Sequence, residues 1–311
     1  MINYYWREVM GNWDKIYAVQ RMQNYIKAHV NEFIQLEDIV KGSGYSKRHA
    51  MRIFRELLGK TPLEYVRAIR LTESAKVLLK KSENVLDTAL DFGYDTHEGF
   101  TRAFSNEFGL TPKKYQQEKP PIKYFIQYPV SHYYSYLNNK ENDNMKQEKE
   151  TKICTVTIIK RPKRKLMLMR AKKAVDYWSF CEEKGCDWEG LFNSIDCKMD
   201  NAAIMKLPEN LIVAGTTYCV AGIEIPHDYS GKVIDDCEII DLEECDMMFF
   251  QSETFENDSD FGTAIDEVNK AIRTYNPKQY GYRFALDLAP RFNYGASKEI
   301  GAKQAIPVQK I

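Results

Sequence analysis

The stretch GLTPKKY at residues 109–115 repeats, with small changes, the stretch GKTPLEY at residues 59–65. The likeness extends upstream, because SKRHAMRIFRELLGKTPLEY (46–65) aligns with THEGFTRAFSNEFGLTPKKY (96–115) at a constant offset of 50 residues. The identical pairs are Arg52 and Arg102, Phe54 and Phe104, Gly59 and Gly109, Thr61 and Thr111, Pro62 and Pro112, and Tyr65 and Tyr115. A fixed period with matching residue types indicates a repeated structural unit. Two copies are too few for a solenoid, so we predict a pair of small modules.

The composition is that of a soluble globular protein with about two domains, since 311 residues are present and a domain usually takes ~100–200. No apolar run approaches the ~18 residues of a membrane span, so no membrane association is expected. The first residues lack the charge order of a signal peptide. Seven cysteines without a repeating frame favour a reducing compartment, and we therefore expect a cytoplasmic protein.

The two halves of the chain differ in charge. Residues 1–119 carry 19 Lys and Arg against 15 Asp and Glu, whereas the remaining 192 residues carry 25 against 29. A basic N-terminal part indicates a polyanionic partner for that part alone. A net charge of +4 is too small to decide this by itself.

Apolar residues recur at helical spacing across residues 14–117. Each copy of the repeat predicts a short helix, a Gly-containing turn and a second helix, which the side chain of Ser46 or Thr96 can cap. A glycine ends each second helix, and a Thr-Pro pair opens the next. The pattern predicts two helix-turn-helix units joined by a helix over residues 63–81, about 28 Å long at ~1.5 Å per residue.

The pattern changes after the second unit, and three segments are predicted. Residues 1–119 form an all-α double helix-turn-helix domain. Residues 120–152 begin with a stretch rich in Pro and Tyr and continue as a polar, solvated linker. Residues 153–311 contain short strand-like runs with helices between them, which indicates an α+β domain.

A second, fainter repeat lies in this α+β part. IIKRPKRKLMLM (158–169) aligns with IIDLEECDMMFF (239–250) at an offset of 81 residues, and each copy is predicted as strand, turn and strand followed by a helix. The predicted fold is therefore multi-domain, with an all-α N-terminal part and an α+β C-terminal part built from two pseudo-symmetric repeats.

The N-terminal part resembles the DNA-binding domain of the AraC/XylS family of transcription regulators. The stretches that carry the likeness are LEDIVKGSGYSKRH, RIFRELLGKTPLEYVRAIRL and ALDFGYDTHEGFTRAFSNEFGLTPKKY, within about residues 17–116. The resemblance implies a sequence-specific regulator that binds double-stranded promoter DNA, with RNA polymerase as an expected further partner. Whether it activates or represses is left open.

Helix-turn-helix units place the start of their second helix in the major groove, and two units ~34–36 Å apart would reach successive grooves. The candidate DNA-binding residues are Lys47, Arg48, Met51 and Arg52 in the first copy and His97, Glu98, Gly99 and Arg102 in the second. Arg bridges guanine O6 and N7, and Glu accepts from the cytosine amino group. For Lys47 and Glu98 a merely solvated helix face is an equal alternative. Arg52 and Arg102 recur at one place in both copies, although arginines also contact phosphates.

The C-terminal part resembles the gyrase-inhibitor-like effector-binding domain, on YCVAGIEIP (218–226) and APRFNYG (289–295). The resemblance implies an aromatic cleft with an acidic group that binds cationic, lipophilic small-molecule effectors. Glu224 matches a family acidic position, but Asn293 replaces a second one, so a neutral or amphipathic effector is an equal expectation. The candidate effector-binding residues are Tyr177, Trp178, Trp188, Tyr218, Glu224, Phe292 and Tyr294. Core packing is the alternative for each aromatic residue.

Two other chemistries are weighed for the C-terminal part. Cys181 and Cys186 are four residues apart but no second close pair or nearby His follows, so no metal or other cofactor is expected. Some proteins with this domain type are hydrolases that use a Tyr and a Glu, and Glu189 or Glu224 with Tyr218 is such a pair. We expect no enzyme, and two alternatives stay open: a C-terminal domain that contacts a protein partner, and a hydrolase of reactive lipophilic compounds.

Overall fold

The structure is a computed structural model that describes residues 13–80, 84–134, 154–257 and 260–311. The chain divides into two compact units. The first contains Met1–Lys119 and Gln127–Gln147, and the second contains Pro120–Ile126 and Glu148–Ile311. Among the described residues, no helix is both long enough and apolar enough to cross a membrane.

The described part of the first unit is helical. Its helices are α1 Trp13–His29, α2 Leu36–Lys41, α3 Lys47–Leu58, α4 Pro62–Leu78, α5 Val85–Asp91, α6 His97–Phe108 and α7 Pro112–Glu118. Residues 130–134 are also helical. The pairs α2–α3 and α5–α6 are the two predicted helix-turn-helix units, and α4 joins them.

The residues that repeat in the sequence form the same contacts in both helix-turn-helix units. Phe54 is fully buried and its ring meets that of Tyr65 edge-on, with centroids 5.4 Å apart. Phe104 is fully buried as well, and its ring centroid lies 5.7 Å from that of Tyr115. The repeat therefore specifies a Phe–Tyr core contact that ties each second helix to the helix after it.

The helix ends follow the repeated residues with one exception. Gly59 and Gly109 end α3 and α6 in the left-handed conformation, with φ of 71° and 75°, which glycine adopts without strain. The Thr96 side chain caps α6. Ser46 lies at the N-cap of α3, but its side chain makes no capping hydrogen bond, so the predicted cap is wrong there.

The connecting helix is shorter than predicted. It covers the 17 residues of Pro62–Leu78, about 26 Å at ~1.5 Å per residue. It begins at Pro62 because the Thr61 hydroxyl and the Glu64 carboxylate cap it reciprocally. It ends at Leu78, its last fully buried residue; of the next two residues, Leu79 is half-buried and Lys80 is exposed.

The second unit is an antiparallel sheet with helices. Its elements are β1 Cys154–Arg161, β2 Arg164–Arg170, α8 Tyr177–Lys184, α9 Trp188–Asn193, β3 Ala203–Lys206, β4 Cys219–Pro226, β5 Glu238–Leu242, β6 Cys245–Ser252, α10 Phe261–Thr274, β7 Tyr282–Phe284, β8 Arg291–Ser297 and β9 Gly301–Lys310. The strand order among the described residues is β1-β6-β9-β8-β3-β4-β2-β5, and β7 pairs with β9. The predicted combination of a helical part and an α+β part is confirmed.

The two strand-turn-strand segments pair with each other and not within themselves. β1 pairs with β6 up to Arg161 opposite Cys245, and β2 continues in the same register with β5 from Arg164 opposite Leu242. The run β1–β2 is interrupted at residues 162–163, and the run β5–β6, with which it pairs, is interrupted directly opposite, at residues 243–244. These two short connections join strands from opposite ends of the strand order, so the sheet must curve until its ends meet. Pseudo-symmetry of the two segments stays a prediction.

The curved sheet has a helical face and a concave face. On the helical face, one cluster packs Phe180, Trp188 and Ile223 together, and a second packs Val268 of α10 against Phe250. On the concave face, a third cluster joins Leu166 of β2 to strands near the other end of the sheet. The pleat puts alternate residues of each strand on the two faces.

Candidate DNA interface and effector site

The candidate DNA-binding residues lie on the exposed sides of α3 and α6. Lys47, Arg48, Arg52, His97, Glu98 and Arg102 are exposed, and Met51 and Gly99 are half-buried. The other sides of the same helices are buried against the core through Ile53 and Phe54 in α3 and through Phe100 and Phe104 in α6. Both helices thus leave their first two turns accessible, and the assignment of these residues to DNA stays a prediction.

The cations of α3 form ion pairs on the surface. Lys47 pairs with Glu37 of α2, and Arg52 Nη1 lies 3.2 Å from Glu56 Oε1. Arg52 Nη2 also lies 3.2 Å from His49 Nδ1. Exposed pairs of this kind contribute only ~0–1 kcal/mol. Their side chains can therefore exchange these partners for phosphate or base atoms at small cost.

Gly99 lies close to the side chain that caps α6. It lies in the first turn of α6, and its N–H donates to the Thr96 hydroxyl at 3.0 Å. A Cβ atom placed on Gly99 would lie 3.0 Å from that same oxygen, which is closer than most Cβ contacts. The helix-interior penalty of ~1 kcal/mol for glycine does not apply to a first-turn position. Glu64 and Lys114 make the same contact to a capping Thr in α4 and α7, so capping tightens this position without requiring glycine there.

In the second unit the candidate effector residues separate into two groups. Tyr177, Trp178 and Trp188 lie on α8 and α9, at the helical face. Glu224, Phe292 and Tyr294 belong to β4 and β8, and strand parity places them on the concave face. Tyr218 stands apart from both groups: it is 37% exposed, and its ring lies 5.4 Å from Lys206 Nζ. The structure does not gather the seven residues into one site.

Glu224 on the concave face is the counter-ion of a buried arginine. The Arg164 guanidinium is fully buried and its Nε donates to Glu224. Arg164 Nη1 donates to Pro162 O at 3.2 Å and to Glu243 O at 3.1 Å. These carbonyls lie where the paired strands are interrupted, so Arg164 satisfies groups that the ladder leaves unpaired. Glu224 balances that charge, which is a structural role.

The aromatic rings of the concave face already hold the protein's own cations. Lys303 Nζ lies 4.5 Å from the Tyr294 ring centroid and 5.2 Å from that of Phe249. The Arg161 guanidinium also lies over Phe249, at 5.1 Å, and Asp200 accepts from both cations at 2.7–2.8 Å. Burial, followed by the nearby Glu224 and Asp200 carboxylates, raises the pKa of Tyr294 well above 10. A foreign cation would have to displace Lys303 or Arg161 here.

Asn293 does not belong to the concave face. It pairs with Ile204, a residue of the helical face, and its side-chain oxygen accepts from the N–H of Gly295 at 3.0 Å. The replacement of a family carboxylate by Asn293 therefore leaves the charge of the concave face unchanged.

The helical face carries a different carboxylate, Glu189 of α9. Its Oε2 accepts from the Tyr177 hydroxyl at 3.4 Å, and the Tyr177 and Trp188 ring centroids are 5.8 Å apart. Glu189 is half-buried, with protein atoms packed around its carboxylate. Burial raises the pKa of Glu189 to about 7, and that of Tyr177 well above 10.

Glu189 differs from Glu224 in its partners. Within the described part of the chain, no Lys, Arg or His forms an ion pair with Glu189. From the sequence, Glu189 was a candidate only as part of a hydrolase pair and not as an effector residue. Its position beside Trp188, on a helix that faces Tyr177, is the signal that could have identified it.

The cysteines form no cross-link and no metal-binding group. All seven lie in the described ranges and all are free thiols. Among the described residues, no three His, Cys, Asp or Glu side chains gather as metal ligands would.

Comparison with known proteins places the first unit in a family. A family model described as a helix-turn-helix domain matches residues 39–118. The probable transcription factor PqrA of Proteus vulgaris is 45% identical over 87 residues, which are 28% of this chain and 71% of that protein. The multiple antibiotic resistance protein MarA of Escherichia coli is 30% identical over 118 residues, 38% of this chain and 93% of that protein. Other relatives are matched over only 34–41% of their length.

The second unit has a weaker likeness to a solved structure. SAV2435 bound to tetraphenylphosphonium is 14% identical, covers 50% of this chain and 94% of that chain, and has a TM-score of 0.32. So low a score carries no argument about ligands.

The repeated helix-turn-helix frame and the relatives that share it define a sequence-specific DNA-binding transcription regulator. More narrowly, the chain belongs to the AraC family of transcription regulators.

Proposed function

We propose that this regulator binds promoter DNA in the cytoplasm through both helix-turn-helix units, and that a small effector bound to the second unit controls that binding. RNA polymerase is the further partner that we propose. The observation that carries the DNA part is the repeated frame, in which buried Phe54 and Phe104 fix α3 and α6 while Arg52 and Arg102 stay exposed. The relatives are named as a transcription factor and a resistance protein, and we propose no enzymatic role.

The DNA part is tested with the full chain and a library of promoter fragments at two salt concentrations. We expect enrichment of a site with two half-elements about one helical turn apart. The double variant Arg52→Ala, Arg102→Ala should lose that enrichment. Equal, salt-sensitive binding of all fragments by both proteins would contradict the proposal, because it would mean that the repeat contacts phosphates only.

For the effector, we propose that Glu189 with Tyr177 and Trp188 forms the site, and that it accepts a lipophilic or amphipathic organic cation. An aromatic surface attracts a cation through its ring faces, and a carboxylate without a protein cation adds an unscreened opposite charge. The Glu224 carboxylate lacks this capacity, since Arg164 already occupies it. The concave-face residues Phe292 and Tyr294 then have a structural role.

The effector site is tested with tetraphenylphosphonium as the probe cation. Because the pKa of Glu189 is about 7, ionisation rises between pH 6 and pH 8, and the affinity of the wild-type chain should rise with it. Glu189→Gln should weaken binding and remove this pH dependence. The matched control is Glu182→Gln, which changes an exposed carboxylate on the neighbouring helix α8. Unaltered binding by Glu189→Gln would exclude the site.

Should no small probe bind, the second candidate function is a C-terminal unit that contacts a protein partner. The exposed apolar residues Ile158 and Ile159 on the edge strand β1 favour it, since an edge strand with apolar side chains can pair with another chain.

A further inference from the structure

Residues 120–134 contribute to both units in turn. Residues 120–126 pack within the second unit, and the described residues that follow, 127–134, pack within the first. Ile122, Tyr124, Val130 and Tyr134 are each at most 5% exposed. A tether that only links two domains needs no buried side chains, because flexible linkers stay solvated. This segment, which we call the strap, is therefore held at both ends.

The first part of the strap lies on α9, the helix that carries Glu189. The N–H of Ile122 donates to Ser194 Oγ at 3.0 Å, and that hydroxyl donates in turn to Leu191 O at 2.7 Å. The backbone of Tyr124 lies against Gly190, where an added Cβ would be only 2.0 Å from the Tyr124 carbonyl oxygen. No side chain separates the strap from α9, so a shift of α9 moves the strap.

The second part of the strap is bound to α1 by two glutamines, of which Gln20 accepts from the N–H of Ser131 at 3.1 Å and the buried Gln23 makes the other contacts. Gln23 Nε2 donates to Tyr128 O at 3.0 Å, and Gln23 Oε1 accepts from the N–H of Val130 at 3.0 Å. The same side-chain nitrogen lies 2.9 Å from Tyr65 Oη. Tyr65 is the residue whose ring packs against Phe54 of α3.

A continuous series of contacts therefore leads from the strap to the first recognition helix. It passes from Val130 through Gln23 and Tyr65 to Phe54, the residue that fixes α3. At its other end the strap contacts Gly190, the residue next to Glu189.

We propose that the strap transmits effector occupancy at α9 to the first helix-turn-helix unit, with Ser194 and Gln23 as the positioning residues at its two ends. The effector part rests on the proposed function of Glu189. Coupling of this kind requires that the effector favour one of two arrangements of α9. The strap then changes the position of Gln23 and, through Tyr65, that of α3.

The mechanical part is tested by hydrogen exchange on the full chain without any ligand. Gln23→Met removes the hydrogen bonds that Tyr128 O and the N–H of Val130 make with α1 and leaves those of Ser131 with Gln20, so we expect faster exchange at residues 128–130. If the strap is one mechanical element, the N–H of Ile122 and the amides of α9 also exchange faster. Faster exchange confined to residues 128–130, with Ile122 and α9 unchanged, would overturn the proposal.

The regulatory part is tested with Ser194→Ala, a small change outside the probe and DNA sites. In the wild-type chain, saturating tetraphenylphosphonium should change the Kd for a selected promoter fragment by a measurable factor. In Ser194→Ala this factor should approach 1, while each ligand alone binds within about twofold of wild type. The matched control is Ser230→Ala, which removes an exposed hydroxyl of the second unit outside the strap and α9.

The outcomes separate the two proposals. An unchanged factor in Ser194→Ala would show that the strap carries no signal. A factor of 1 in the wild-type chain would instead contradict effector control itself. In that case the exchange experiment still decides whether the strap joins α9 to α1.

Discussion

The two helix-turn-helix units share one frame and differ at the surface that the frame presents. In both, a left-handed glycine ends the second helix, and a buried Phe contacts a Tyr in the next helix. The exposed positions of the first helix-turn-helix unit carry Lys47, Arg48 and Arg52, whereas those of the second helix-turn-helix unit carry His97, Glu98 and Arg102. The shared glycine, Phe and Tyr residues thus mark the fold, whereas the shared arginines and the exposed residues that differ are the ones that we propose contact DNA.

The difference in charge suggests that the two helix-turn-helix units contribute differently to DNA binding. Three cations attract any phosphate backbone, and their contribution falls steeply with salt. A carboxylate next to DNA repels phosphates and is tolerated where it accepts from a cytosine amino group. We therefore infer that the first helix-turn-helix unit contributes more to the affinity for DNA, and that the second contributes more to discrimination between DNA sequences.

Removal of the shared core contact should have the largest effect. Phe54→Ala and Phe104→Ala each remove a fully buried ring, and large-to-small changes of this kind cost about 3–5 kcal/mol of unfolding free energy. Urea unfolding of the full chain, followed by the helical signal, measures the cost. The control is Phe33→Ala, since Phe33 is 87% exposed. A similar cost for Phe54→Ala and Phe33→Ala would contradict the common frame.

Single changes at the repeated arginines should come next. Arg52→Ala and Arg102→Ala remove exposed guanidinium groups at equivalent positions, and loss of a bidentate base contact costs about 1–3 kcal/mol, or roughly 5–150-fold in Kd. Titration of the selected promoter fragment at fixed salt measures it. Lys76→Ala, on the exposed side of α4 and paired with Glu73, is the control.

These two variants also sharpen the comparison between the units. A base contact predicts relaxed specificity at one position of the site, whereas a phosphate contact predicts uniform weakening and a smaller salt slope. If both arginines only lower the salt slope, sequence discrimination comes from other residues.

The sequence predicted most of this frame because the repeat is a local signal. The positions of Gly59, Thr61 and Pro62 determine helix ends through backbone conformation and capping, which depend on near neighbours. Ser46 shows the limit: its residue type suits an N-cap, yet the side chain makes no capping bond. Propensity indicates which position can cap, and the local geometry decides whether it does.

The candidate effector residues were harder to predict, because the contact that distinguishes Glu224 from Glu189 is long-range. Glu224 matched a family position, but its partner Arg164 is 60 residues away in sequence, and spacing alone could not show the ion pair. The strand pairing that brings residues 162–163 beside residues 243–244 is equally non-local. From the sequence alone, Glu189 and Glu224 were both acidic residues near aromatic residues. The structure distinguishes them, because Glu224 forms an ion pair with Arg164 and Glu189 forms none among the described residues.

The smallest predicted effect concerns the caps, where the two units differ by a single hydrogen bond. Thr96 Oγ1 accepts from Gly99 N at 3.0 Å, so Thr96→Ala should cost about 1 kcal/mol of unfolding free energy. Ser46→Ala should cost only a few tenths, because no such bond is lost. Hydrogen exchange of the first-turn amides of α3 and α6 measures both in the same sample. Equal costs would mean that Ser46 caps α3 in solution and that the two frames are more alike than their first turns indicate.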